Sequence, residues 1–324
     1  MRRQMEKQME NQTEQRSDRG VPVLSVQNLS VKFSMYAQGT KRRELEVISG
    51  LCAEVYAGEI LAVVGSSGSG KSILASAVMG ILPSNASVSG KMAYCGEPLT
   101  EKRQEKLRGN EISLVPQSVS YLDPLMKTGR QVQGINGTKE QQRSIFRRFK
   151  LGENVENMYP HQLSGGMARR VLVSTAVING SKLIIADEPT PGLSIDLAME
   201  TLSCFRELAD SGAAVMLITH DIDLALKVAD RIAVFYAGTT LEIAPASDFS
   251  EEGRRLRHPY TRAFYDALPQ TSFKGLPGVQ PYAGSLPQGC VFAPRCRYRT
   301  DRCLEAMPKM RNLRGGMVRC FEAV

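Results

Sequence analysis

Eight residues, Gly65-Ser66-Ser67-Gly68-Ser69-Gly70-Lys71-Ser72, constrain this chain more than any other feature. They satisfy the pattern G-x-x-x-x-G-K-[ST]. The apolar stretch 60–64 leads in, and a helical pattern through residues 72–79 leads out and stops near Gly80 and Pro83. A strand, a glycine-rich turn and a helix in this order bind phosphate. The glycines let the backbone wrap closely, several N–H groups then point at one anion, and the helix N-terminus adds partial positive charge. Lys71 is expected to reach the β- and γ-phosphates of a nucleotide, and the Ser72 hydroxyl to ligate Mg²⁺.

A second apolar segment, 183–186, ends in Asp187 and Glu188. Such a strand would hold Asp187 near Mg²⁺ and leave Glu188 where a general base orients water in line with the γ-phosphate. Segment 215–218 reads as another buried strand. Shorter strands are expected over 24–26, 29–33 and 51–55, and helices over 140–150, 167–178, 198–209 and 224–229. Buried strands alternating with helices predict an α/β fold with a largely parallel sheet.

Residues 1–20 are polar, lack hydrophobic periodicity and are expected to form a disordered leader. No signal peptide is read there, and no apolar run approaches the ~18–20 residues of a membrane-spanning helix. The expectation is a cytosolic chain that reaches a membrane only through partners. Near residue 250 the composition turns Pro-, Gly-, Arg- and Cys-rich, which predicts one unit over 21–250 and a second over 251–324. The second holds 13 Lys/Arg against 6 Asp/Glu, so most of the net charge of +8 lies there. Of the seven cysteines, Cys52, Cys95 and Cys204 are scattered and expected to be small buried apolar residues. Cys290, Cys296, Cys303 and Cys320 cluster as C-x5-C-x6-C-x16-C, which in a cytosolic chain suggests metal before disulfide. The spacing matches neither common zinc-ribbon nor ferredoxin patterns, so zinc, an iron–sulfur cluster and free thiols all stay open.

Leu163-Ser164-Gly165-Gly166-Met167, just upstream of the Asp187-Glu188 strand, resembles the signature motif of the ABC ATPases. Gln117 fits that family's Q-loop, His220 its switch histidine, and Asp196 falls at its D-loop. The resemblance implies a P-loop NTPase fold of the ABC type, with an antiparallel β subdomain, a helical subdomain and here a small Cys-rich C-terminal extension. It also implies that Ser164, Gly165 and Gly166 complete the ATP site of an opposing cassette, so that one chain holds half of each site. Glu188, His220 and Gln117 would act in hydrolysis, with Gln117 also facing Mg²⁺. An aromatic residue near the start would stack on adenine: Phe33 fits the register, and Tyr36 is its rival. Two departures stand out. Ala168-Arg169 replaces the usual Arg-Gln pair, and Asp196 is displaced by two positions, so that Ser194 is the alternative D-loop residue.

Met167, His258-Pro259-Tyr260-Thr261 and the cysteine-bearing tail resemble the oligopeptide/dipeptide/nickel importer branch. That branch implies two membrane permease subunits, a second ATPase cassette (a copy or a paralogue), an extracytoplasmic solute-binding protein and a place on the cytoplasmic face of the membrane. Some members carry a 4Fe-4S cluster at this quartet, whose negative charge Arg295, Arg297, Arg299 and Arg302 would offset; Zn²⁺ is the alternative. A soluble ABC ATPase acting on nucleic acid would usually show long coiled coils or paired cassettes, and neither is seen, so no nucleic-acid partner is expected. A purely metal-responsive protein would leave five ordered nucleotide motifs unexplained.

Overall fold

The computed structural model describes residues 20–36, 42–135 and 137–323, so the expected leader lies outside them except for Gly20. The strands are β1 Leu24–Tyr36, β2 Arg42–Val55, β3 Ile60–Gly65, β4 Ala86–Tyr94, β5 Glu97–Pro98, β6 Ile112–Val115, β7 Leu183–Asp187, β8 Ala214–Thr219, β9 Arg231–Tyr236, β10 Thr239–Pro245, β11 Arg311–Leu313 and β12 Gly316–Val318. The α-helices are α1 Lys71–Met79, α2 Glu101–Leu107, α3 Thr128–Gln133, α4 Lys139–Arg148, α5 Gly165–Val177, α6 Ile195–Asp210, α7 Ile222–Leu226, α8 Pro259–Asp266 and α9 Asp301–Glu305.

Among the described residues the strands form a four-stranded sheet, β2-β1-β4-β5, and an eight-stranded sheet, β11-β12-β10-β9-β3-β8-β7-β6. In the larger sheet β6, β7, β8, β3 and β9 run parallel, and β3, β8 and β9 are buried along their whole length. That is why they read as continuous apolar runs. Alternate residues of β3 face different layers. Leu61 and Val63 pack with Leu74 and Val78 of α1 and with the inner face of the small sheet. Ala62 and Val64 face the opposite layer, with Ile232, Val234, Tyr260 and Phe292. On that same side, towards β7 and β8, Ile184, Val215 and Leu217 pack against α5 and α6 through Val171, Leu202 and Phe205. Each such buried aliphatic or aromatic side chain contributes roughly 1.5–3 kcal/mol.

Several expectations are corrected. The strands expected over 24–26 and 29–33 are one strand, β1, interrupted by a register shift in which Asn28 takes φ 50°. This bulge turns two consecutive residues outward and imitates a break in the sequence pattern. The helix expected over 224–229 begins earlier, at Ile222, because the Asp221 side chain accepts from the Leu224 N–H. Cys95 is exposed, in a turn with φ 50°, and Cys52 is half-buried; of the scattered three only Cys204 is buried.

Residues on both sides of the change of composition near residue 250 share buried contacts. The hairpin β11–β12 pairs with β10, Glu242 opposite Val318 and Ile243 opposite Met317, and extends the main sheet. Leu256, Tyr260, Val291 and Phe292 share one buried cluster with β3, β9 and β10. Arg257, fully buried, ties the hairpin down. Its Nε donates to the Leu313 carbonyl at 2.5 Å, and its guanidinium reaches Asp248 at 2.8 Å and Glu242 at 3.2 Å.

A phosphate loop facing converging carboxylates

The loop begins where β3 ends. A Cβ at Gly65 would run into the Phe235 carbonyl, and one at Gly70 would stand 3.1 Å from Ile48 Cγ1. Gly70 also has φ +94°, a conformation in which a side chain is strained. Both positions therefore require glycine for the turn into α1. Ser66 is half-buried, Ser67 and Gly68 are exposed and Ser69 is buried. The Lys71 ammonium is folded over the loop, donating to the carbonyls of Gly65 at 2.8 Å and Ser66 at 3.1 Å. Burial lowers its pKa, while Glu188 and Asp187 oppose that fall.

The Ser72 hydroxyl, at the start of α1, donates to Asp187 Oδ1 at 3.1 Å. Burial raises the Asp187 pKa, and the Ser72 hydrogen bond works against the rise. One hydroxyl and one carboxylate, side by side next to a phosphate loop, form a pair of oxygen ligands suited to Mg²⁺. Glu188, the next residue, has φ 45°, and its N–H bonds the Ile218 carbonyl of β8 at 2.9 Å. Two further side chains meet on the same carboxylate oxygen, Oε2. Gln117 Nε2 donates to it at 3.2 Å, and His220 Nδ1 stands 3.4 Å from it. Positive φ at a non-glycine residue costs about 1–3 kcal/mol and persists only where the surroundings enforce it.

Local structure fixes these partners. His220 sits between β8 and α7, where Thr219 Oγ1 accepts from the Asp221 N–H at 3.0 Å and Asp221 caps α7. Gln117 follows β6, and its carbonyl accepts from Arg169 NH1 of α5 at 2.6 Å. Arg169 was noted in the sequence only as a departure from the family pattern. It is buried, and it clamps the Gln117 backbone to the signature helix. No local signal in the sequence marks that contact, which spans 52 residues.

Other expected residues lie apart. Ser164 caps α5, its Oγ accepting from Met167 N–H at 3.3 Å, with Ser164 and Gly165 exposed and Gly166 buried against Leu197. Among the described residues no hydrogen bond or ion pair joins Ser164–Gly166 to the phosphate loop. Ser194 caps α6 and accepts from Leu197 N–H, while Asp196 is exposed on the first turn. Phe33 is half-buried against the core beneath the small sheet, whereas Tyr36 is 71% exposed at the end of β1.

The four tail cysteines line one small cavity together with His258 and Phe292. None of the four is in a disulfide, and Cys290, Cys303 and Cys320 are buried. Burial raises the pKa of Cys290 and Cys296 and pushes Cys320 up to about 12. Among the described residues no group of three or more His, Cys, Asp or Glu is arranged to hold a metal ion. The arginines are divided: Arg297 stacks over Tyr298 and Arg302 over Phe321, while Arg295 turns away to the carbonyls of Leu276 and Pro277.

Residues 48–191 match the ABC transporter family, and residues 241–303 match the oligopeptide/dipeptide transporter C-terminal region. The oligopeptide transport ATP-binding protein OppD of Haemophilus influenzae is 32% identical over 319 residues, covering 92% of this chain and 96% of its own. The dipeptide transport ATP-binding protein DppD of Escherichia coli is 34% identical over 316 residues, covering 91% and 94%. Among solved structures, an ATP-binding cassette bound to ADP and Pi in a post-hydrolysis state superposes with a TM-score of 0.58 at 22% identity, covering 69% of this chain and 98% of that one. CbiO1 of Clostridium perfringens, part of an ABC transporter complex, gives 0.59 at 24% identity, covering 76% and 99%. These two likenesses concern the fold; the sequence relationships go further, and by them this chain belongs to the ABC transporter family, among the oligopeptide and dipeptide transport ATP-binding proteins.

Proposed function

We propose that this chain is the ATP-hydrolysing motor of an ABC importer that powers peptide uptake through partner permeases. The observation that carries the reading is the meeting of Gln117 and His220 on one oxygen of Glu188, beside the Ser72–Asp187 pair. Residues 65–72 would cradle the phosphates, with Lys71 turning from the loop carbonyls to the β- and γ-phosphates. Ser72 and Asp187, with Gln117 nearby, would hold Mg²⁺, which when bound neutralises charge developing on the phosphates. Glu188 would accept a proton from the attacking water, and His220 and Gln117 would hold its carboxylate in place. The exposed Ser164 and Gly165, with Gly166 buried behind them, would meet nucleotide on a second cassette, with the D-loop segment Ser194–Asp196 alongside. Phe33 or the freer Tyr36 would stack on adenine.

Among the described residues no helix is long and apolar enough to cross a membrane. The chain therefore fits a peripheral subunit on the cytoplasmic face, docked on two permeases and paired with a second cassette, with a solute-binding protein completing the importer. The relatives are named for peptides, which favours peptide over nickel as cargo. We assign residues 21–250 to the nucleotide-binding unit and 251–324 to the extension. Cys290, Cys296, Cys303 and Cys320, which line one cavity, would be the ligands of a 4Fe-4S cluster, with Zn²⁺ the alternative.

The test is Glu188→Gln. It should bind ATP with near wild-type affinity, lose hydrolysis by at least about 100-fold, and trap a closed dimer visible by size-exclusion chromatography. Turnover near the wild-type rate would remove Glu188 from the chemistry.

A further inference from the structure

The segment between α8 and the cysteine quartet makes its few contacts at places that matter to the nucleotide site. The Ser66 hydroxyl, in the phosphate loop, donates to Gln280 Oε1 at 2.5 Å across 214 residues of sequence. Three residues earlier in the same segment, the Pro277 carbonyl accepts from Arg295 Nε at 2.9 Å, and the Leu276 carbonyl accepts from Arg295 NH2 at 3.0 Å. Arg295 immediately precedes Cys296. Farther along, the Gly284 carbonyl accepts from Arg43 of β2 at 2.8 Å. The segment thus runs from the cysteine-bearing unit, over the lip of the phosphate loop, to the small sheet. Val279 and Tyr282 on it are 87% and 66% exposed, while Leu276 and Leu286 pack against the buried cluster beneath. Between those two leucines, polar contacts hold the segment.

Tyr260 of α8 is buried in the same cluster against which Leu276 of this segment packs. Its ring packs edge-on against Phe292, at 5.3 Å between centroids, and Phe292 lies between Cys290 and Cys296.

We propose that residues 276–280 are a positioning strap: Gln280 holds the phosphate loop through Ser66, Arg295 holds the strap, and the cysteine-bearing tail thereby sets the affinity of the loop for ATP. Gln280 is a positioning residue, because it acts through Ser66 and touches no reacting atom. The proposal rests on the reading of residues 65–72 as an ATP site and adds a control on it. The loop's N–H groups bind phosphate well only when already aligned, so releasing its lip should weaken binding while leaving Glu188 and its partners untouched.

The test uses the full chain and Gln280→Ala, with affinity for a fluorescent ATP analogue and steady-state hydrolysis as readouts. Losing one hydrogen bond predicts a roughly three- to tenfold rise in Kd and KM, with kcat unchanged. In a Ser66→Ala background the same substitution should add nothing, and Arg295→Ala should weaken ATP binding to a similar degree without adding to Gln280→Ala. Hydrogen exchange should show faster exchange at residues 65–72 in Gln280→Ala, with the tail's protection intact. Unchanged Kd, an equal fall in kcat, or full additivity with Ser66→Ala would each overturn the strap while leaving the ATP site standing. Failure of the wild-type protein to bind the analogue would overturn the site reading itself.

Discussion

Replacing Arg257 by Met removes a charge and five donors at nearly constant volume, in a place with no access to water. The side chain is 0% exposed, as is Glu242, and Asp248 is 2% exposed. The guanidinium also holds the carbonyls of Leu313 and Arg314 at 2.5 Å each, at the turn of the hairpin β11–β12. Taking it away leaves two buried carboxylates, and the part-buried carbonyls of Leu313 and Arg314, short of partners. Breaking a buried ion pair on one side costs about 3–5 kcal/mol. The low end applies here, because Glu242 keeps the N–H groups of Arg257 and His258 at 2.9 Å and Asp248 keeps Arg255 at 3.3 Å. The expected loss is therefore about 3 kcal/mol, read as a fall in melting temperature of roughly 5–10 °C. Because the lost contacts join β10 to the hairpin, limited proteolysis should cut first between residues 306 and 320, before the cassette core opens. Arg257→Lys keeps the charge but not the fork, and should lose less than Arg257→Met. A cost under about 1 kcal/mol for Arg257→Met, or loss of cassette and tail in one step with no early cleavage, would refute the reasoning.

Two further outcomes follow from separate features. Mixing Lys71→Ala chains with Ser164→Arg chains should restore partial hydrolysis if two copies of this chain pair, because one composite site then stays intact; mixed dimers without recovered activity would argue against shared sites. Anaerobically prepared protein should be brown with about four iron per chain, and Cys296→Ser should lose the colour while still binding ATP. One zinc per chain in colourless protein would replace the cluster with Zn²⁺, and a folded tail without metal would eliminate both.

What the sequence made legible was chemistry held at fixed local spacing. Gly65–Ser72, Asp187-Glu188 and the Ser164 cap are each set by neighbours within a few residues, and the pairs Ser72–Asp187 and Glu188–His220 lie where those motifs place them. The long buried strands were legible because both of their faces are covered. The tail's contribution to the sheet was not: β11 and β12 have three residues each, too few to show alternation. Nothing local marks Arg257, one of 13 Lys/Arg in residues 251–324, for burial, and only the arrival of Glu242 and Asp248 from other segments makes burial tolerable. The Arg169–Gln117 and Gln280–Ser66 contacts depend on chain reversals that no local pattern encodes.

The pairing of β12 with β10 has a consequence during protein synthesis. Residues 316–318 leave the ribosome after the other strands of the sheet, so the backbone of β10 has an unmatched rim until they emerge. Such a rim is a template for another chain, and it is flanked here by apolar side chains such as Leu241 and Ile243. Stalled or truncated chains that retain the cassette but lack residues 311–318 should therefore associate edge to edge, and the hairpin β11–β12 would serve the nascent protein as a guard against aggregation.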